Sequence, residues 1–269
     1  MNMSNRISAI LLSLFCSLSF LVVAQTKDAD QLYANGEYEK AADAFLAIAS
    51  DEGTSASLYF NLGNCYAQTG NLGNAILYYS RAARLDPRNK EIKNNLNYFS
   101  SKVEDSNRAE LRGKKISVAP DPETFFTTAH RVIAEDRSSN FWAVLSAGSF
   151  VLLIALVAVY LFCGNIMLRK TGFFGGIIML ACSIMFLVFA FMSAEAFESH
   201  DKAVLMAYKT QLLIEPSSDA KPAANQLCQG TVFDIVAEES DVEGHPTWYK
   251  VRLNSNIEGW IKADAIEII

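Results

Sequence analysis

Three uninterrupted apolar runs divide the chain. The first, Ile7 to Val23, follows a short start carrying Arg6 and closes on small residues before Gln25. A cationic start, an apolar middle and a small-residue exit describe a secretory signal peptide, so residues 1–24 are expected to be removed on export; an uncleaved anchor is the alternative. Cys16 follows the bulky Phe15 in mid-run, which does not fit a lipoprotein signal. The second run, Phe141 to Cys163, and the third, Phe173 to Ala194, contain no charge. A helix over the second run reaches roughly 34 Å, against a bilayer core of about 30 Å. Trp142 and Tyr160 lie near its ends, where amphipathic rings favour the interface. Two such runs so close together predict a transmembrane hairpin over 141–163 and 173–194. The connection, 164–172, holds Arg169 and Lys170 and no acid, which places it in the cytoplasm and both large flanking segments outside. Gly172 and Gly176 form a small-xxx-small pair, weak evidence of close helix approach or dimerisation.

Between the first two runs the pattern repeats. Gly36 and Gly70, Ala41 and Ala75, and Phe45 and Tyr79 are each 34 residues apart. That period belongs to a helix-turn-helix solenoid. The second copy carries Leu62-Gly63, Tyr66, Gly70, Ala75, Tyr79, Ala82 and Pro87, and at these positions it resembles the tetratricopeptide repeat (TPR) family. Gly63 and Ala75 are small where two antiparallel helices must nearly touch, Leu62, Tyr66 and Tyr79 supply apolar filling, and Pro87 stands where a helix should stop. The first copy departs from the pattern, with Gln25 in place of a large aromatic. A third partial copy, Asn89 to Val103, turns polar after Leu96 and reads as a capping helix with a wet outer face. The repeat module thus spans 25–104. The resemblance implies a concave face lined by the first helix of each repeat: Phe60, Asn61, Asn64, Gln68, Asn94 and Asn95 become candidate partner-binding residues. Asparagine amides both donate to and accept from a peptide backbone; solvated polar positions are the alternative reading. The family's carboxylate clamp needs a basic set of which only Lys93 is present, so a free C-terminus is a doubtful ligand.

From Glu104 to Pro122 the chain is polar with a basic cluster at Arg112, Lys114 and Lys115, and reads as a tether. Phe125, Phe126, Val132 and Ile133 then suggest a short amphipathic helix on the membrane, within a 105–140 linker. Beyond the third run the period shifts to two. Val204–Ile214, Thr231–Ala237, Thr247–Leu253, Ile257–Ile261 and Asp264–Ile268 predict five short strands, with a turn at Asn254-Ser255-Asn256. Such a set suggests a small barrel over 201–269. Gly230-Thr231, Trp248-Tyr249-Lys250-Val251-Arg252 and Gly259-Trp260-Ile261 resemble bacterial SH3-like domains, which implies binding of cell-wall peptides or protein segments across exposed aromatics. Tyr249 and Trp260 are expected in the barrel core, and Trp248, on the opposite face from Tyr249, is the candidate surface contact.

Composition narrows the function. The 269 residues are 51% apolar and 19% charged, with a net charge of −6, which argues against a nucleic-acid partner. The acidity is concentrated after Glu195, where thirteen acids face six lysines and arginines, so the C-terminal domain is expected to favour cationic partners. Five cysteines and three histidines show no metal-ligand spacing, and no metal or cofactor is expected. No phosphate loop, nucleophile elbow or HxxxH pair is present, so no catalytic residue is assigned and a non-enzyme is expected.

The expected fold class is a multidomain membrane protein: an α-helical TPR solenoid, a two-helix transmembrane hairpin and an all-β SH3-like barrel. That order resembles the E-type membrane proteins of the Bacteroides aerotolerance (Bat) operons. The resemblance implies a scaffold of an envelope-stress complex whose partners are other inner-membrane proteins with von Willebrand A domains and a MoxR-type ATPase. A cell-wall sensor binding peptidoglycan peptides through the SH3-like domain is the alternative.

Overall fold

The computed structural model describes residues 28–110, 121–122, 124–135, 137–198, 201–240 and 244–269. The expected signal peptide lies outside them, as do residues 111–120 of the expected tether. The chain divides into two units.

One unit begins with helices. Residues 28–34 form α1, followed by α2 (Tyr38–Glu52), α3 (Ala56–Gln68), α4 (Leu72–Leu85) and α5 (Lys90–Glu110). Gly36 and Gly70, one repeat apart, both take positive φ (81° and 77°) in the turn between paired helices, a conformation that a side chain disfavours. Ser55 accepts from Leu58 N (3.2 Å), Asn71 from Asn74 N (3.2 Å) and Asn89 from Ile92 N (3.3 Å), so each of α3, α4 and α5 starts on a side-chain cap. α4 stops at Leu85, just before Asp86-Pro87. A Cβ added to Gly63 would stand 2.6 Å from the Tyr79 ring, which is why this position on α3 must be bare for α4 to approach. Ala41, Ala42, Phe45, Leu58, Leu62 and Cys65 fill the core between the repeats.

The same unit carries seven strands: β1 (Lys202–Leu205), β2 (Lys209–Leu213), β3 (Pro222–Cys228), β4 (Val232–Ser240), β5 (Pro246–Asn254), β6 (Ile257–Lys262) and β7 (Ile266–Ile268). They make one antiparallel sheet in the order β3-β2-β6-β5-β4-β1-β7. The expected Val204–Ile214 strand is two strands separated by a turn, and β3 was not foreseen: Pro222-Ala-Ala-Asn-Gln lacks the β-branched residues that mark strands. No ladder joins β3 to β7 among the described residues, so an antiparallel sheet stands where a closed barrel was expected. Leu205, Leu212, Leu227, Phe233, Tyr249, Val251, Ile257 and Ile261 form its core.

The expected wet cap is corrected by the packing. α5 continues to Glu110, well past Val103, and the far face of α4 and α5 is dry. Ile76, Leu77 and Val103 pack with Val204 of β1 and with Ile269 in a third core shared by helices and sheet. Polar groups pin its rim. Asn107, 1% exposed, donates to Thr231 Oγ1 (2.8 Å) and accepts from Cys228 N (2.7 Å). Gln229 donates to Asn71 Oδ1 (3.3 Å) and to the Met206 carbonyl (3.0 Å). Arg81 donates to Glu267 (3.0 Å) and to the Ile268 carbonyl (2.7 Å), Arg84 to the Ile269 oxygen, and Lys209 pairs with Glu110. The approach is tight: a Cβ on Gly230 would meet Ile76 and Val103 at 3.0 Å, in a backbone with φ 87°. The helical repeats and the sheet are therefore one folded body rather than two modules on a string.

The other unit holds α6 (Phe125–His130), a π-helical turn (Arg131–Glu135), α7 (Ser139–Phe162) and α8 (Ile166–Glu198). α7 and α8 are long and apolar enough to cross a membrane. They pair as a hairpin. Ser146 Oγ donates to the Ser183 carbonyl (2.9 Å) and Ser183 Oγ to the Ser146 carbonyl (3.1 Å), a reciprocal clasp between apolar helices. A Cβ on Gly172 would lie 2.8 Å from the Leu156 carbonyl oxygen, so this glycine serves the pairing within the hairpin. The expected nine-residue loop is shorter: only residues 163–165 are non-helical, and Arg169 and Lys170 stand in the first turns of α8.

Replacing Asn107 with Ala strands the Cys228 N–H and takes a partner from Thr231, and should cost about 1–3 kcal/mol. Hydrogen exchange on the full chain in detergent should show protection falling together in α4–α5 and in β1 and β3. A loss confined to the helices would refute the shared core.

Candidate functional site

The face formed by the first helices of the repeats, α1, α3 and α5, carries most of the candidate residues. Its centre is a polar cluster around Tyr79. The Tyr79 ring is buried, lies 5.8 Å from Phe60 and stacks on Phe99 at 5.7 Å. Burial pushes its phenol well above the usual range, so the hydroxyl keeps its proton, which it donates to Asn64 Oδ1 at 2.7 Å. Asn95 Nδ2 reaches the same oxygen at 3.3 Å and the phenol oxygen at 3.5 Å. Asn64 and Asn95 are thus brought together, 31 positions apart in sequence, and their orientation is fixed by a group the sequence reading used only as core filling. No hydrogen bond among the described residues engages Asn64 Nδ2 or Asn95 Oδ1. One is a donor and the other an acceptor, the two group types that a peptide unit can pair with.

The other candidates surround this cluster unequally. Asn61 and Phe60 are half-buried, Asn94 and Gln68 are exposed, and Gln68 lies within hydrogen-bonding reach of the Tyr33 phenol. Tyr98, in the polar part of α5, is 63% exposed and packs edge-on against Phe99. It adds an unforeseen aromatic to the α5 contribution.

On the sheet, β5 and β6 sort the aromatics. Tyr249 is buried in the core, as expected. Trp260 is not: Ile257, Gly259 and Ile261 take the inner positions of β6, so Trp260 falls on the outer face opposite Lys250 and beside Leu213 of β2. The alternation along β6 carries this signal, and weighing Trp260 by its bulk alone misplaced it. Trp248, half-buried on the same outer face, is opposite Lys262, whose ammonium lies 5.7 Å from the indole centre. Glu258 binds Lys250 (2.6 Å) and Arg252 (2.8 Å), and these two hydrogen bonds hold its carboxyl below the usual range. Cations and indoles therefore share this face.

Cys65, Cys163, Cys182 and Cys228 are free thiols. Burial pushes Cys65 up to about 11, and burial also raises Cys228. No group of His, Cys, Asp and Glu suited to a metal ion occurs among the described residues.

Residues 27–90 match the family model of the tetratricopeptide repeat. The match covers α1 to α4 and ends at the first residue of α5. Repeats of this family mediate protein–protein interaction and are typically non-catalytic. No curated protein matches the chain.

Tyr79→Phe removes one part-buried hydrogen bond and should cost about 0.5–1.5 kcal/mol, whereas Asn94→Ala, on an exposed position, should stay within about 0.5 kcal/mol. Equal costs by urea denaturation would contradict the structural role assigned to the Tyr79 hydroxyl. With a pKa of about 11, only about one Cys65 thiol in a thousand is ionised at pH 8, and the thiolate is the reactive form. Maleimide should therefore label Cys65 only after unfolding; rapid labelling of the folded chain would count against its burial.

Proposed function

We propose that the chain is a non-enzymatic, membrane-anchored scaffold that binds a segment of a partner protein on the α1–α3–α5 face. The observation that carries this reading is the conjunction of tetratricopeptide repeats with an open, pre-oriented amide pair and two membrane-length helices in one chain. Asn64 and Asn95 are held by Tyr79 before any partner arrives, so little rotamer freedom remains to be lost on binding. Asn61, Gln68 and Asn94 ring this pair and supply adaptable polar contacts, with Phe60 and Tyr98 as apolar anchors. Tethering to a bilayer raises the effective concentration of a membrane-bound partner, so a modest groove suffices.

Arg169 and Lys170, at the turn end of α8, support a cytoplasmic turn and an extracytoplasmic repeat–sheet body under the positive-inside rule. The apolar start of the sequence supports export of the same body. The order of segments, with its resemblance to E-type proteins of the aerotolerance operons, supports partners among inner-membrane proteins bearing von Willebrand A domains and a role in envelope stress. The outward Trp248 and Trp260 favour the second reading, a sensor of cell-wall peptides.

The test is cross-linked co-purification from native membranes. Asn61→Ala combined with Asn94→Ala should lower recovery of membrane partners without shifting the melting temperature, because neither side chain supports the fold. Unchanged recovery would remove the groove from the mechanism. Loss on Trp248→Ala, together with binding of the full chain to purified sacculi, would favour the sensor.

A further inference from the structure

The turn that precedes the apolar hairpin is built rather than loose. Thr124 and Thr127 close a capping box at the start of α6, each side chain bonding the other's backbone N–H (2.8 and 3.2 Å). The π-helical turn that follows is bonded to α7, and Arg137, just beyond the turn, to α8. Trp142 Nε1 of α7 donates to the Ile133 carbonyl (2.9 Å), Ser193 Oγ of α8 donates to the Arg137 carbonyl (2.6 Å), and the Arg137 guanidinium lies 4.9 Å from the Phe141 ring centre. Ala134 is buried against this frame. Yet the element presents Phe125 and Phe126, both 81% exposed, and Val132, 44% exposed.

Two independent features point to the same surroundings. Rigidly held phenyl rings left in water are unfavourable, so a surface that displays a pair of them has an apolar occupant. And the carbonyls of this irregular backbone are taken up by an indole and a hydroxyl of the helices, as non-helical backbone requires where water is scarce. α7 and α8, beside which the element sits, are the two membrane-length helices among the described residues. The occupant is therefore lipid rather than a protein groove.

We propose that residues 124–135 form an interfacial anchor, with Phe125 and Phe126 seated in the headgroup–acyl boundary of the bilayer, about 5–10 Å below its surface. This rests on the membrane reading given above and adds to it a depth-setting contact outside the spans. The flanking residues are mixed in sign, with His130, Arg131 and Arg137 near Asp121 and Glu135, so the contact does not require anionic lipid. Bonded to α7 through Ile133, with Arg137 just beyond it bonded to α8, the anchor fixes how far the hairpin can slide along the bilayer normal.

The experiment uses the full chain carrying Phe126→Trp, reconstituted in phosphatidylcholine vesicles brominated either near the headgroup or deep in the acyl chain. The wild-type emission from its three tryptophans is subtracted. The added indole should emit to the blue of tryptophan in water and lose most of its intensity to shallow bromines and little to deep ones. Water-like emission that neither lipid quenches, with Trp142 of the wild type still quenched, would overturn the anchor and leave the spans standing. Stronger quenching from the deep position would overturn the interfacial depth. If the wild-type chain fails to float with vesicles at all, the membrane reading falls and takes the anchor with it. Phe125→Trp, on the neighbouring position, should repeat the result.

Discussion

The apolar seam between α4–α5 and the sheet at β1 and Ile269 is the constraint on which the repeat–sheet body depends. Two repeats bury too little surface to be a comfortable domain, and a sheet of short strands has the same difficulty. Ile76, Leu77 and Val103 on one side, and Val204 and Ile269 on the other, solve both problems with one core. Asn107 then makes that solution specific. A buried amide that satisfies both a backbone N–H and a hydroxyl across the seam tolerates only one register, since any slip would leave polar groups unpaired in a dry place. The seam also fixes what remains available for binding: it consumes the far face of α4 and α5, leaving the α1–α3–α5 face open.

Much of the helical half was legible because its signals are local. A 34-residue period, two glycines at the turns, small residues at the crossing and a proline after α4 each state a backbone requirement that the structure meets at Gly36, Gly70, Gly63 and Leu85. The long apolar helices were legible for the same reason, from length and lack of charge. What escaped was non-local. Val103 closes what reads as a capping helix with a wet outer face, and Asn107 falls in what reads as a tether, because a sequence pattern cannot say that a sheet synthesised about a hundred residues later will cover them. β3 escaped because its composition is that of a loop, and it is a strand by virtue of its partner β2. Trp260 was placed inside by size, while the alternation of Ile257, Gly259 and Ile261 put it outside.

The candidate site divides in the same way. Its residue types were legible from the repeat pattern, but the division of labour among them was not. Asn64 and Asn95 look like Asn61 and Asn94 in sequence, and only the Tyr79 hydroxyl separates the two pairs into held and adaptable groups. The hairpin shows a parallel economy: Ser146 and Ser183 satisfy each other's backbone, and Gly172 lets Leu156 approach, so these polar and small residues serve the pairing itself.

The wide separation of the seam's two halves along the chain has a consequence for biosynthesis. Val103 leaves the ribosome well before Ile269, and at roughly 5–20 residues per second the delay is on the order of ten to thirty seconds. Throughout it the greasy strip on the nascent repeats has no mate, and the intervening hairpin must be dealt with first. In that order of events the strip closes only when Val204 and Ile269 reach it.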